Sequence, residues 1–364
     1  MSSVRTPSAL LAAGILLAIA VSASAARRTF DWGLSVEEKL SGDSNILRLA
    51  SPEVDRLDRD QAFQPALDGA GDLRMDHRVL ADLRANLPDR RWGWLELGLD
   101  AKYVNFFANS FNNYSTQRLS LTWQQKPGWG ADVSWFGINN FYLREFQDAD
   151  TGELHGTDFD SNEYRIRLKA RSEDFGPVQK PTLSLIYSFE QVFYNGWFTE
   201  YDTDTREVGL RLDVDLPRGL SADLQYYYAT TDNVGYDSGR SGGASLIEDN
   251  DSGDGSHQEN RFQTGVDWRG DLYGHDLQVG LAFSWRHREY QTQLGVLEDP
   301  VHAGRNDDRL LLSLNKIWRI DKRYSLRPFI EREWRRVGGP WERLPQYKNY
   351  AANRMGIALR VVVR

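Results

Sequence analysis

The chain is dominated by short stretches in which apolar and polar residues alternate. In the stretch 206–216, apolar residues occupy every even position from Val208 to Leu216, with Gly209, Arg211 and two aspartates between them. A repeat of two residues places one set of side chains on each face of a strand, whereas a helix repeats every 3.6 residues. The same alternation recurs in the stretches 119–124, 164–169, 222–228, 262–268 and 277–286. The pattern therefore predicts many amphipathic β-strands.

The connections between these stretches alternate between short turns and long polar loops. Turn-forming residues mark short connections near 88–90, 127–128, 173–181, 217–219, 271–274 and 321–322. Longer polar segments lie at roughly 41–72, 107–114, 147–161, 196–204, 231–259, 292–307 and 337–350. Counting strands between them gives about fourteen, an even number that returns both termini to the side of the short turns. Short turns on one side and long loops on the other are typical of bacterial outer-membrane barrels.

The first 25 residues have the layout of a secretory signal peptide. Arg5 precedes an apolar run at 9–21, and the small residues Ala23, Ser24 and Ala25 follow it. About a dozen apolar residues are too few to span a hydrocarbon core of ~30 Å. We therefore expect cleavage after Ala25, and a mature domain over 26–364.

A closed barrel is the fold that this combination of features predicts. No later segment holds about 18 uninterrupted apolar residues, and only helices and closed barrels satisfy every backbone polar group in lipid. Aromatic residues near the short turns favour a membrane barrel over a soluble β-sandwich, because such rings collect at membrane interfaces. They are Trp92, Trp94, Trp123, Trp129, Trp268, Trp318 and Tyr324. We predict an all-β fold, a single transmembrane antiparallel up-and-down barrel of about fourteen strands in the outer-membrane lipid of a Gram-negative bacterium.

Composition is compatible with this fold and excludes several functions. Mean hydropathy is only −0.57, but in a barrel just one face of each strand meets lipid. The net charge of −8 argues against nucleic acid as a partner, because a binder needs a clustered basic face. Cysteine is absent, which excludes disulfides and thiolate metal sites.

If the apolar faces meet lipid, the opposite faces line the lumen and carry charges of both signs. The candidate lumen-lining residues are Arg165, Arg167, Lys169, Arg211, Asp213, Asp223, Arg286, Arg288 and Glu331. The row formed by Arg165, Arg167, Lys169 and Arg171 would attract an anionic solute. The same charges could instead form cross-strand ion pairs that only stabilise the wall, and the sequence leaves both interpretations open.

The sequence offers no enzymatic site. It contains no GxSxG, HExxH or glycine-rich phosphate loop, and no histidine has a serine two residues away in a strand. We predict no enzyme, no cofactor and no metal. Asp249 and Asp251 resemble the start of a calcium loop, but Gly253 stands where a third oxygen ligand is needed. Whether the segment 231–259 folds inward and gates the mouth is left open.

The last stretch alternates in the same way and adds a resemblance. The pattern Arg354-x-Gly356-x-x-Leu359-x-Val361 resembles the signal by which outer-membrane barrels engage their assembly machinery. The resemblance implies that this machinery is a partner of the chain. The chain departs from the pattern at its end, since Arg364 stands where an aromatic residue is usual.

Two functions from different classes are compatible with the barrel. The first is a porin-like channel for passive passage of small polar solutes. The alternative is the barrel of an export or assembly system for exopolysaccharide or surface lipoprotein, with a periplasmic export partner. The segment Gly42-Asp43-Ser44-Asn45-Ile46 resembles the barrel regions of surface-lipoprotein assembly modifiers and polysaccharide-export proteins. Those proteins commonly carry a periplasmic helical-repeat domain, whereas here Ala26 almost directly precedes strand residues Trp32–Val36, so the channel is the primary prediction.

Overall fold

The strands close into a single barrel. The computed structural model describes residues 30–60, 63–87, 90–125, 128–147, 153–235, 254–272 and 275–363. Within these ranges, fourteen strands each pair antiparallel with their chain neighbours, and the last pairs with the first. The strands are β1 Phe30–Asp43, β2 Asp72–Asn86, β3 Trp94–Phe106, β4 Tyr114–Gln124, β5 Trp129–Gln147, β6 Leu154–Arg171, β7 Gln179–Tyr194, β8 Thr203–Leu216, β9 Leu220–Asp232, β10 His257–Leu272, β11 His275–Tyr290, β12 Asn306–Arg319, β13 Tyr324–Gly338 and β14 Tyr350–Val362. The predicted fold and strand number are confirmed.

Some predicted boundaries are wrong. The predicted loop 147–161 is mostly strand, because β6 already begins at Leu154. Gly42 and Asp43, expected after the first strand, are the last residues of β1 and pair with Leu73 and Asp72. Strand pairing uses backbone groups, so it continues where the side chains have become polar. Residues 249–253, and most of the loop considered as a gate, lie outside the described residues.

The two faces of the wall differ in polarity. Leu99, Leu185 and Leu281 point outward and leave about half of their surface uncovered. On the inner face, Asp76 and Asp307 are only 4% and 3% exposed. An apolar outside around a charged inside is stable in lipid and not in water. The chain is therefore an outer-membrane β-barrel of the Gram-negative type, and the short turns define its periplasmic side.

Most of the predicted aromatic residues point outward near the periplasmic turns. Trp129, Trp268, Trp318 and Tyr324 are exposed on the outer face, and the rings of Trp92 and Trp123 lie 6.4 Å apart. Trp94 is an exception. It lies on the inner face in phase with Glu96, and the Arg84 guanidinium lies 4.1 Å from its ring centre. The prediction that Trp94 belongs to an interfacial girdle is wrong, because inner and outer positions alternate and Trp94 has the inner phase.

The described residues of the long connection, 44–60 and 63–71, form a folded segment, which we call the cap. It contains helix α1 (Ser51–Leu57) and a small apolar core around Leu49, Leu57 and Leu67. The backbone N–H of Ala50 donates to the Glu53 carboxylate at 2.8 Å, which satisfies a donor at the start of the helix. A second short helix, α2 (Leu344–Lys348), follows β13 and contacts α1. No helix in the described ranges has the length and apolarity needed to cross a bilayer.

The cap reaches across half of the barrel rim. Arg48 forms an ion pair with Glu333 of β13 at 3.3 Å, and Glu53 forms one with Arg144 of β5 at 3.0 Å. Gln64 of the cap exchanges hydrogen bonds with the backbone of Glu145. Because β13 and β5 are separated by β14 and β1 to β4 around the ring, these contacts place the cap over one side of the mouth.

Candidate functional site

The cationic row predicted on β6 lies on the inner face. Asp132 of β5 forms ion pairs with two of its members. Arg167 Nε lies 2.9 Å from Asp132 Oδ1, and Lys169 Nζ lies 2.6 Å from Asp132 Oδ2. Arg165 instead pairs with Glu163 on its own strand at 2.5 Å. Asp132 is held between two cations and is itself 8% exposed. The row is thus partly neutralised at the wall, while each guanidinium keeps further N–H donors.

A recess of about 350 Å³ lies beside this row, and we call it the central recess. Among the described residues that line it, five are arginines and one, Asp132, is a carboxylate. The arginines are Arg118, Arg165, Arg167, Arg211 and Arg261. Gln225, Gln263 and Tyr227 contribute neutral polar groups. The recess therefore presents mainly cationic hydrogen-bond donors to a solute.

A second recess of about 270 Å³ lies nearer the periplasmic turns, and we call it the periplasmic recess. Arg211 belongs to both recesses and binds Asp213, with Nε 2.8 Å from Oδ1. Asp213 and Asp223 occupy directly opposed positions on β8 and β9. The charged lining residues in the described part of the chain are Arg171, Lys180, Arg211, Asp213, Asp215, Asp223 and Asp267. Here acidic groups outnumber basic ones, so the sign of the lining changes toward the periplasm.

The remaining predicted lumen residues form ion pairs on the inner wall. Arg286 and Arg288 both pair with Glu259, at 3.3 and 2.6 Å. Glu331 accepts a hydrogen bond of 2.7 Å from Arg354 Nε. None of these three predicted residues lines either recess among the described residues. The geometry of these three residues fits the alternative in which the charges form ion pairs that stabilise the wall.

A third cavity lies under the cap, and we call it the outer chamber. It measures about 430 Å³, and its cationic lining residues among those described number seven. They are Arg48, Arg74, Arg144, Arg309, Arg335, Lys348 and Arg354. Aromatic rings, including those of Phe106, Tyr114 and Phe141, form much of the rest of the wall, together with Asp43, Asn112 and aliphatic side chains. The chamber is thus the most strongly basic of the three cavities.

Buried carboxylates balance several of these cations. Asp43 pairs with Arg48 at 3.0 Å, Glu333 with Arg309 at 2.6 Å, and Asp307 with Arg335. All three carboxylates are at most 6% exposed. Among the described lining residues Asp43 is the one carboxylate, so a solute in the chamber meets mainly guanidinium N–H groups. Since one ion pair leaves several of the five donors of an arginine free, the chamber can bind anions despite its paired charges.

Two irregularities in β5 bring further residues to the inner face. The register between β5 and β6 shifts between Ile138 and Phe141, and again between Tyr142 and Arg144. Asn140, within the first shift, has a φ of 55°. Such bulges insert an unpaired residue and change which side chains face inward. As a result, Phe141 lines the chamber although it is an odd number of positions from the inner residue Asp132, and after the second shift Arg144 lines it as well.

Lys348 of α2 is the cation of the chamber whose charge responds to pH. Burial, together with the nearby cations Arg305, Arg335 and Arg144, lowers the pKa of Lys348 to about 7, and Glu53 opposes this only in part. The charge of the chamber therefore rises by one unit as the pH falls through neutrality.

The pattern of alternation did not identify the outer chamber. Arg74, Arg309 and Arg335 have the inner phase on their strands, so the same reasoning that selected Arg165 could have found them. Phe141 escapes that reasoning because the first shift in β5 places it an odd number of positions after the inner residue Asp132. Arg48 and Lys348 lie outside strands, where no periodicity exists.

The predicted assembly signal occupies β14 at the seam with β1. Arg354 points into the outer chamber, and Leu359 lies on the outer face. A side chain at Gly356 would overlap the carbonyl oxygen of Leu40 on β1. Engagement of assembly machinery by these residues and Val361 stays a prediction.

Two histidines point away from the lumen. His77 lies 2.6 Å from Glu38 on the outer face, and His287 lies 3.0 Å from Asp308. Neither lines any of the three cavities within the described residues.

No protein-family model and no curated protein matches the sequence. Solved structures resemble it over most of its length. An anion-selective porin from Comamonas acidovorans has a TM-score of 0.44 at 9% identity, over 92% of this chain and 100% of that chain. A bacterial polysaccharide outer membrane secretin has a TM-score of 0.44 at 10% identity, over 90% and 98%. OmpT, an outer membrane protein of Vibrio cholerae, has a TM-score of 0.43 at 8% identity, over 92% and 99%.

Proposed function

We propose that the chain is a porin-like channel for passive passage of small polar solutes and that it favours anions. The observation that carries this proposal is the excess of cations in the outer chamber, where seven cationic side chains and one carboxylate, Asp43, line the wall among the described residues. The central recess repeats the arrangement, with five arginines and one carboxylate among its described lining residues.

The three cavities form a sequence along the barrel wall. The chamber lies at the loop ends of the strands, where Arg74 and Arg354 are close to the starts of β2 and β14. The periplasmic recess lies at the turn ends, where Arg171 and Lys180 flank a short connection. Conduction requires sites that attract a solute and also release it. Basic cavities on the outer side would attract an anion, and the acidic periplasmic recess would favour its release.

The test is ion selectivity in a planar bilayer. The purified chain is reconstituted, and the reversal potential is measured under a potassium chloride gradient. We expect steady open currents with chloride more permeant than potassium. The double variant Arg165→Gln/Arg167→Gln should lower the chloride-to-potassium permeability ratio, by roughly two- to fivefold for two partly solvated charges.

A matched variant removes an acidic group from the other recess. Asp223→Asn should shift the ratio in the opposite direction, since it removes negative charge from the periplasmic recess. Potassium selectivity in the wild type would contradict the anion preference. The absence of any current from folded protein, with export proteins co-purifying, would contradict the channel and favour the export alternative.

A further inference from the structure

Two arginines of β13 face the lipid side of the barrel wall. Arg332 and Arg336 have the same strand phase as Ile330, which is 49% exposed on the outer face. Trp334 lies between them in the same phase. Most of the inner arginines described above, such as Arg309 and Arg335, pair with carboxylates. The side chains of Arg332 and Arg336, by contrast, have no ion pair or hydrogen bond with any residue in the described ranges.

A charged side chain without a partner is unusual at the position of Arg332. Its direct strand neighbours are Leu312 of β12 and Asn353 of β14, and Leu312 is 42% exposed on the outer face. The residue thus marks the upper edge of the apolar band, on the side of the long loops. A charged side chain that faces lipid is costly unless it reaches the headgroup layer or an opposite charge. The opposed carboxylate, Asp308 across from Arg336, already accepts one hydrogen bond from Trp285 Nε1 and lies against His287.

Both arginines open onto one shallow recess of about 570 Å³ in the outer wall. Leu312 and Trp334 supply an apolar surface, and Asn349 supplies an amide at its upper end. A ligand that fits this lining carries negative charge beside hydrocarbon. Phosphate is the group that arginine binds through paired N–H donors. An ion from solution alone would leave the apolar part of the recess unused.

We propose that this recess binds the phosphate-bearing headgroup of an outer-leaflet lipid, with the acyl chains against Leu312 and Ile330. The two arginines bind phosphate oxygens, and Trp334 packs beside the headgroup at the membrane interface. Arg332 and Arg336 face the outside of the wall, and at its upper rim the recess shares Arg335 and Tyr350 with the outer chamber.

The test compares lipid binding by the refolded full-length barrel and its variants in detergent. The probes are purified lipid A, dephosphorylated lipid A and inorganic phosphate, and bound lipid is measured by native mass spectrometry. For the wild type, we expect lipid A to bind and dephosphorylated lipid A to bind at least about tenfold more weakly. The double variant Arg332→Gln/Arg336→Gln should lose the preference for the phosphorylated lipid. Inorganic phosphate at the same concentration should not displace lipid A.

A matched control lies on the same outer surface at the opposite membrane edge. Lys316 of β12 is exposed, in phase with Leu314, and near the periplasmic end of its strand. Lys316→Gln should therefore leave lipid A binding unchanged. Unaltered chloride conductance of the double variant would show that it has folded, because both arginines face away from the lumen.

Three results would overturn the proposal. Full lipid A binding by the conductive double variant would place the lipid elsewhere. Equal binding of the phosphorylated and dephosphorylated lipids would show that phosphate is not recognised. Displacement by inorganic phosphate would make the recess a site for free anions.

Discussion

Glu53 in the cap lies 3.0 Å from Arg144 on β5, although 91 positions separate the two residues in the chain. The same carboxylate accepts the backbone N–H of Ala50 at the start of α1. One side chain therefore both begins the helix of the cap and attaches that helix to the wall. Both partners are mostly covered, at 12% and 17% exposure, so the pair is less screened by solvent than an ion pair on an open surface.

We expect Glu53→Gln to loosen the cap and enlarge the conducting path. The change leaves Arg144 without its anionic partner, which also adds positive charge to the outer chamber. Loss of one partner of a covered ion pair destabilises the local structure by about 1–3 kcal/mol. Single-channel recordings should show higher conductance, more frequent transitions and stronger chloride preference. Asp60→Asn removes the exposed pair with Arg56 in the same cap and should change none of these. Identical traces for Glu53→Gln and wild type would mean that the cap does not shape the path.

The chloride preference should depend on pH through Lys348. Below its pKa of about 7, the ammonium adds a positive charge beside Arg305, Arg335 and Arg144, so chloride preference should rise from pH 8 to pH 6. Lys348→Met should abolish this change, and Lys348→Arg should hold the preference at its high value throughout. The check is the reversal potential at both pH values. A pH response that persists in Lys348→Met would have another origin.

Lys348 should also make the stability of the barrel depend on pH. Its pKa in the folded barrel lies below the ordinary lysine value of 10.5, so the unfolded chain binds more protons between about pH 7 and 10.5. The free energy of unfolding should therefore rise with pH across that interval because of Lys348. In Lys348→Met this contribution should vanish, which urea titrations of the reconstituted barrel at pH 7 and pH 10 can measure.

The lipid-facing pair of Glu38 and His77 should show strong energetic coupling. Glu38 lies between Val36 and Leu40 on the outer face of β1, and its carboxylate is 2.6 Å from His77. His77→Leu leaves a carboxylate facing lipid and should destabilise the barrel by about 1–3 kcal/mol. Replacing both residues by leucine should restore or exceed wild-type stability. Urea unfolding in lipid vesicles measures the double-mutant cycle, and additive effects would show that the two groups do not interact.

Variants at the seam between β14 and β1 should distinguish closure of the barrel from recognition by the assembly machinery. Gly356→Ala should impair unaided refolding into vesicles, because the added carbon meets the Leu40 carbonyl oxygen. Gly42→Ala on the facing strand should be tolerated, since its nearest atom would be an ordinary 3.5 Å away. The double variant Leu359→Ala/Val361→Ala should refold unaided but accumulate less in cells. Normal cellular levels of this variant would argue against the predicted signal.

The fold was largely predictable because lipid and water impose a repeat of two on every strand. Val208 to Leu216 shows that repeat without interruption, and β8 covers it. Strand ends were less predictable, since the pairing of β1 through Asp43 depends on backbone hydrogen bonds and not on side-chain polarity.

The functional cavities were predictable only where they lie on regular strands. Arg165, Arg167 and Arg211 follow the repeat and line the central recess. The outer chamber depends on the cap, whose contacts join residues far apart in the chain, such as Glu53 and Arg144. No local sequence pattern predicts such long-range contacts. The connection was therefore predicted only as a polar loop over 41–72, without its fold over the mouth.

The cap has a core of its own, built on Leu49, Leu57 and Leu67. A segment that packs against itself can be lengthened, shortened or exchanged while the pairing of β1 with β2 stays intact. Changes in what the mouth admits can therefore accumulate during evolution without passing through barrels that fail to close.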